Sequence, residues 1–232
     1  MKKIQKVIKI FLLILFVFNS WLFSLTFKEL IKKLEDNDNK IKKLKAEYVQ
    51  LIHFLDLNET YVLKAKFIYE YPEKLRIDIQ SPFKQIIVVN DKKLFAKDVL
   101  NDVIYYTDTE KYFEKQKNYF PLIFSKTRRY NLADFVKKTG LRFIKEENKY
   151  YVLSSRYLKG KKYTGDEKGF KKDEVRLMLW LDKEKLLPEK VNMVSEKYVI
   201  ETEFSNYETE FEITDALFEI EKTSNTKIIE IK

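Results

Sequence analysis

Two hydrophobic periods divide the chain. Phe27, Leu30, Ile31 and Leu34 recur at helical spacing and predict a short amphipathic helix, ended by the acidic and amide run Glu35 to Asn39. Beyond Ile41 the period falls to two. Ile41 to Leu57 is rich in strand formers, and Asp56 to Glu59 reads as a turn. From Tyr61 to Tyr71, Leu63, Ala65, Phe67, Tyr69 and Tyr71 share one face against Lys64, Lys66 and Glu70 on the other. That alternation describes an antiparallel strand with one wet side. Pro72 interrupts it, and Leu75, Ile77 and Ile79 then alternate with Arg76, Asp78 and Gln80. After a Ser81-Pro82 turn, Ile86 to Val89 is a continuous apolar strand and Leu94 to Ala96 its return, across Asn90-Asp91.

The middle of the chain is helical or irregular: Thr109 to Gln116, then Tyr119 to Ser125 with Phe120, Leu122, Ile123 and Phe124 around Pro121, then a helical turn at Leu132 to Val136. Strand signals return at 141–144, 150–154, 175–181, 190–194, 199–204 and 227–231. The sum is about ten to eleven strands with a few short helices. An antiparallel sheet curled into a half or full barrel, with helices at its mouth, accommodates them. The run 159–172, with three glycines and six lysines between apolar strands, reads as a long hairpin loop. An anionic membrane or a partner is its functional alternative.

The N-terminus differs from the rest. Lys2, Lys3, Lys6 and Lys9 precede the unbroken apolar run Ile10 to Phe18, then a polar break and Ser24. This is the layout of a signal peptide, whose apolar core spans ~7–15 residues. The expected organisation is a signal peptide over 1–24 and one domain over 25–232. An uncleaved anchor is the alternative, because the charge-free stretch Ile10 to Phe27 approaches the ~17–25 residues that span a bilayer.

The absence of cysteine removes disulfides, thiolate zinc sites and a lipidated N-terminal Cys. The net charge of +9 includes the four lysines of the leader, and the remaining lysines are interleaved with acids. That pattern, with export, argues against nucleic acid. His53 is the only histidine, so two-histidine metal sites are excluded. No nucleophile-elbow, Walker or Rossmann pattern occurs. The expectation is a non-enzyme with no cofactor and no metal. The 18 Phe and 15 Tyr are the unusual load. On the inner face of a curled sheet they would suit an acyl chain or simply fill a core.

The order of elements resembles the LolA-type periplasmic carriers of outer-membrane lipoproteins. The resemblance runs through Leu44-Lys45-Ala46-Glu47-Tyr48-Val49-Gln50, Tyr71-Pro72-Glu73-Lys74-Leu75-Arg76, Val88 to Phe95, and Phe120-Pro121-Leu122-Ile123. It closes on Leu179 to Pro188, Glu203 to Tyr207 and Asp215-Ala216-Leu217-Phe218. It implies an incomplete antiparallel barrel with helices as a lid over a hydrophobic cavity. Acyl chains would then be held by Phe67, Tyr69, Ile77, Ile79, Ile86 and Val88 from the sheet and Phe120, Leu122 and Ile123 from the lid. It also implies as partners acylated lipoproteins, an inner-membrane lipoprotein-releasing transporter and an outer-membrane receptor or membrane surface, with the carrier a periplasmic monomer. Two positions depart from the family. Tyr71 stands where members carry a lid-tethering arginine, and Lys92 replaces a turn glycine. A lipid-sensing regulator, or a binder of another amphiphile such as a glycolipid, would use the same fold.

Overall fold

The computed structural model describes residues 25–90, 92–109, 131–158, 161–162 and 174–231. Helix α1 (Phe27–Lys40) opens with a capping box. Thr26 Oγ1 accepts the Glu29 amide, and the Glu29 carboxylate accepts the Thr26 amide at 2.8 Å. The helix runs through the acidic and amide run expected to end it. Tertiary partners hold that last turn: Asn37 donates to the Lys185 and Leu186 carbonyls, and Asp38 is buried.

The strands are β1 (Lys43–Phe54), β2 (Glu59–Glu70), β3 (Lys74–Ser81), β4 (Gln85–Asn90), β5 (Lys93–Asp98) and β6 (Val103–Asp108). Helix α2 (Leu132–Lys138) follows, then β7 (Arg142–Glu147), β8 (Tyr150–Leu158), β9 (Lys161–Lys162), β10 (Glu174–Asp182), β11 (Pro188–Ser195), β12 (Tyr198–Glu208) and β13 (Lys227–Glu230). A 3-10 turn at Asp215–Phe218 precedes β13. They form one sheet in the order β13-β6-β5-β4-β3-β2-β1-β12-β11-β10-β8-β7, with β9 paired to β8. The edges β13 and β7 do not pair with each other, so the barrel is incomplete, as expected.

Two features escaped the sequence pattern. β6 carries apolar and aromatic residues on both faces, so its period is hidden. β13 returns to lie parallel to β6, pairing Ile228 with Ile104 and Ile229 with Tyr105, in an otherwise antiparallel sheet.

The core lies between one face of the sheet and the two helices. Leu30 and Leu34 of α1, and Leu132, Ala133, Phe135 and Val136 of α2, share one buried cluster with Leu44, Phe67, Tyr69, Leu179 and Leu181. Phe27 adds a flank contact, its ring taking the Arg142 guanidinium of β7 at 5.4 Å. The opposite face is crossed by the chain after β12. Arg76 donates to the Leu217 and Glu219 carbonyls and pairs with Asp78. Lys97 donates to the Glu221 carbonyl and pairs with Asp102. Basic side chains of the sheet thus satisfy carbonyls of a strap that has no ladder of its own there.

Candidate functional site

Strand pairing fixes which side chains share a face. Tyr48 lies opposite Ala65 and Phe204, and Ala65 opposite Ile79. One row up, Gln50 faces Leu63 and Thr202; above that, Ile52 faces Tyr61 and Ile200. These rows belong to the inner face, which carries the helices. The end of the sheet bearing the β1–β2 turn is its upper end.

Burial fades upward along this face. Leu44, Ala46, Phe67, Tyr69, Leu75 and Ile77 are buried at the lower end. Tyr48, Ile52, Leu63, Ile79 and Ile200 are only half buried, and Phe54 and Tyr61 are exposed. The upper part of the concave wall on β1, β2, β3 and β12 is therefore apolar and incompletely covered. Tyr48 and Phe204 line its floor with ring centroids 5.8 Å apart. Burial alone pushes the Tyr48 phenol up to about 12, a mark of a dry floor.

Two polar features interrupt the apolar inner face, one on the wall and one beyond it on β8. Gln50 Nε2 donates to the buried Thr202 Oγ1 at 2.9 Å, which locks β1 to β12 without leaving that hydroxyl unsatisfied. Ser155 is buried in the row of Leu177 and Met193, and its hydroxyl has no hydrogen-bond partner among the described residues.

Of the nine residues assigned to acyl binding by resemblance, Phe67, Tyr69, Ile77 and Ile79 share the inner face. The first three are sealed in the lower core, and Ile79 borders the open part. Ile86 and Val88 require a correction of face. They pair with Asp78 and Arg76, outer-face residues of β3, whereas Ile87 and Val89 point inward. Ile86 to Val89 is apolar throughout, so no alternation marks its inner side. Val88 is 1% exposed, on the strand against which the 3-10 turn with Phe218 packs. Phe120, Leu122 and Ile123 lie outside the described residues.

Ile52 and Ile200 are wall residues that the alternation did not single out; Leu63 it placed on the inner face, though outside the set assigned to acyl binding. In β1 the outward Val49 and Leu51 are apolar too, which masked the parity there. Tyr71 does not reach the helices' core. Its amide donates to the Lys42 carbonyl and its ring takes Lys42 Nζ at 4.7 Å, beside a cleft of about 340 Å³ at the lower end. His53 is on the outer face, 2.9 Å from Thr60 Oγ1. No group of residues able to hold a metal ion occurs among the described residues, and no helix among them is long and apolar enough to cross a membrane.

An open antiparallel barrel with an apolar concave wall and two helices packed on it defines a binding fold. Residues 39–221 match the family model of the outer membrane lipoprotein carrier protein LolA, and the chain belongs to that family. Among solved structures it is similar to an uncharacterized conserved protein from Thermus thermophilus, with a TM-score of 0.53 and 11% identity over 88% of this chain and 98% of that one. It is also similar to MucB, with a TM-score of 0.50 and 11% identity over 87% of this chain and 64% of MucB. A LolA superfamily protein from Nitrosomonas europaea aligns with a TM-score of 0.44 and 12% identity, over 85% of this chain and 99% of that one. No curated protein sequence matches.

Proposed function

We propose that the chain is a periplasmic carrier that holds the acyl chains of lipoproteins against the upper concave wall and shuttles them from the inner to the outer membrane. One observation carries this reading: the wall formed by Tyr48, Ile52, Leu63, Ile79 and Ile200 is apolar and only half buried, yet continuous with a closed core. Leaving such side chains half in water is costly, at roughly 25 cal/mol per Å² of apolar area. An acyl chain laid on them removes that cost for both. Each methylene it buries contributes ~0.8 kcal/mol. In this reading residues 1–24 direct export and are then removed.

The test is protection of a triacylated peptide from aggregation by the purified protein. Wild type should hold the peptide in solution. Leu63→Glu and Ile79→Glu place a charge on the wall and should abolish protection while the far-ultraviolet spectrum stays native. Wild-type protein that never protects the peptide would overturn the carrier reading. Capture of a different amphiphile with the peptide ignored would point to a glycolipid binder or a sensor.

A further inference from the structure

The most exposed large apolar residues of the described chain are not scattered. Leu100 is 84% exposed, Phe83 69% and Leu57 65%, and each sits in a turn between paired strands. Strand direction places all three turns at the upper end: β1–β2 carries Leu57, β3–β4 Phe83 and β5–β6 Leu100. Consecutive hairpins are two strand spacings apart, roughly 10 Å. The three side chains therefore form a row along one rim.

We propose that this rim docks on the surface of a lipid bilayer, with Leu57, Phe83 and Leu100 as the inserted residues. Three points favour a bilayer over a protein. First, the row consists of projecting side chains on separate turns, Leu57 with Leu55, Phe83, and Leu100 with Val99. A fluid interface accepts such points at any lateral spacing, whereas a protein partner would need a matching pocket for each.

Second, the exposed charges at this end balance. Asp56 of the β1–β2 turn stands against Lys84 of the β3–β4 turn, and Glu196 against Lys197 in the β11–β12 turn at the same end, while Asp98 accepts the Leu100 and Asn101 amides and Asp102 pairs with Lys97. Neither sign repels the headgroup region, and insertion is driven by apolar burial with little dependence on salt. Third, the rim is the border of the open concave wall, since Phe54 and Tyr61 lie between the wall and the β1–β2 turn. An acyl chain crossing from bilayer to wall at this edge would not pass through water. This last point rests on the proposed carrier function; the exposure and the charge balance do not.

The chain has no cysteine, so single labels can be placed cleanly. Full-length Leu57→Cys, Phe83→Cys and Leu100→Cys proteins would carry an environment-sensitive nitrobenzoxadiazole label, with Glu184→Cys at the lower end as the reference. Vesicles of phosphatidylcholine, with and without phosphatidylglycerol, would contain lipids bearing a spin-label quencher. The three rim labels should shift to the blue and be quenched on both vesicle types, at low and high salt, while the Glu184→Cys label should not. The readout is burial of the labelled site itself, so membrane affinity from any other part of the chain does not produce it.

Rim labels that stay in water on vesicles would overturn the proposal and favour a protein partner. Blue shifts that appear without vesicles and grow with protein concentration would overturn it in favour of a second copy. Protection of the acylated peptide in solution is a separate assay. If Leu57→Ser/Phe83→Ser/Leu100→Ser protein keeps protection but loses vesicle insertion, both readings stand. Insertion without protection by wild type would sink the carrier reading alone.

Discussion

Asp38 Oδ2 accepts the backbone N–H of Ala133 at 2.8 Å, in a buried contact between residues 95 apart in sequence. The last turn of α1 thereby caps the first turn of α2, beside the local cap in which Asn131 Oδ1 accepts the Asp134 amide. The two short helices are tied to each other above the sheet by this carboxylate, by the Lys137–Glu35 ion pair and by their shared core. A seven-residue helix has little stability of its own, so this bond, with the ion pair and the shared core, sets where α2 sits on the inner face.

Asp38→Ala should therefore cost about 1–2 kcal/mol, the range for losing a helix cap and leaving a buried N–H unpaired. Urea unfolding measures it. Amide exchange should accelerate in α2 far more than in β1 or β2. Uniform acceleration would mean that the bond serves the whole fold and not the placement of α2.

The outer-face position of Val88 separates stability from binding. Val88→Ala should destabilise by about 1–3 kcal/mol, and Phe218→Ala, on the strap above it, by about 3 kcal/mol. Both should leave acylated-peptide protection intact. The pair should be less damaging together than the sum of the single changes, because they share one interface. Loss of protection in Val88→Ala protein with stability kept would contradict the assignment of faces.

Acid should loosen the C-terminal strap. The Thr223 hydroxyl and Lys97 hold the Asp102 carboxyl below its ordinary value of 3.8. An acid whose folded pKa is depressed contributes stability above its unfolded value and loses it as pH falls through the folded one. Exchange of the β13 amides should thus rise below about pH 4 and before global unfolding. In Asp102→Asn protein the strap should already be loose at neutral pH, with that pH dependence gone.

Alkali acts through the floor of the concave wall. The phenol of Tyr48 is raised from 10.0 to about 12 by burial. That of Tyr207 is raised too, by burial first and then by the Glu189 charge. A weak acid held neutral in the fold supports stability fully below its unfolded value. The contribution declines as pH climbs from about 10 through the folded value. Tyr48→Phe should remove its share of this alkaline loss. Ultraviolet titration should show one fewer late-ionising tyrosine.

The chain by itself determined the architecture. Alternation in β2 and β3, the turns at Asp56 to Glu59 and Ser81-Pro82, and the shift from helical period to period two at Ile41 are local signals. They specify a curled sheet with a short helix on it, because side chains on a strand must take opposite faces every residue. Only the tertiary structure decided which face is which wherever both are apolar. Ile86 to Val89 is covered on one side by the core and on the other by the strap, so burial erased the alternation that would have told Ile86 and Val88 from Ile87 and Val89. The same holds for β6 and for the upper half of β1. Nor could composition show that Asp38 continues a helix, since its partner is a backbone amide 95 residues away. The open wall and the apolar rim are likewise products of register. Ile52, Leu63 and Ile200 become neighbours, and Leu57, Phe83 and Leu100 share an end, only once the strands have been paired.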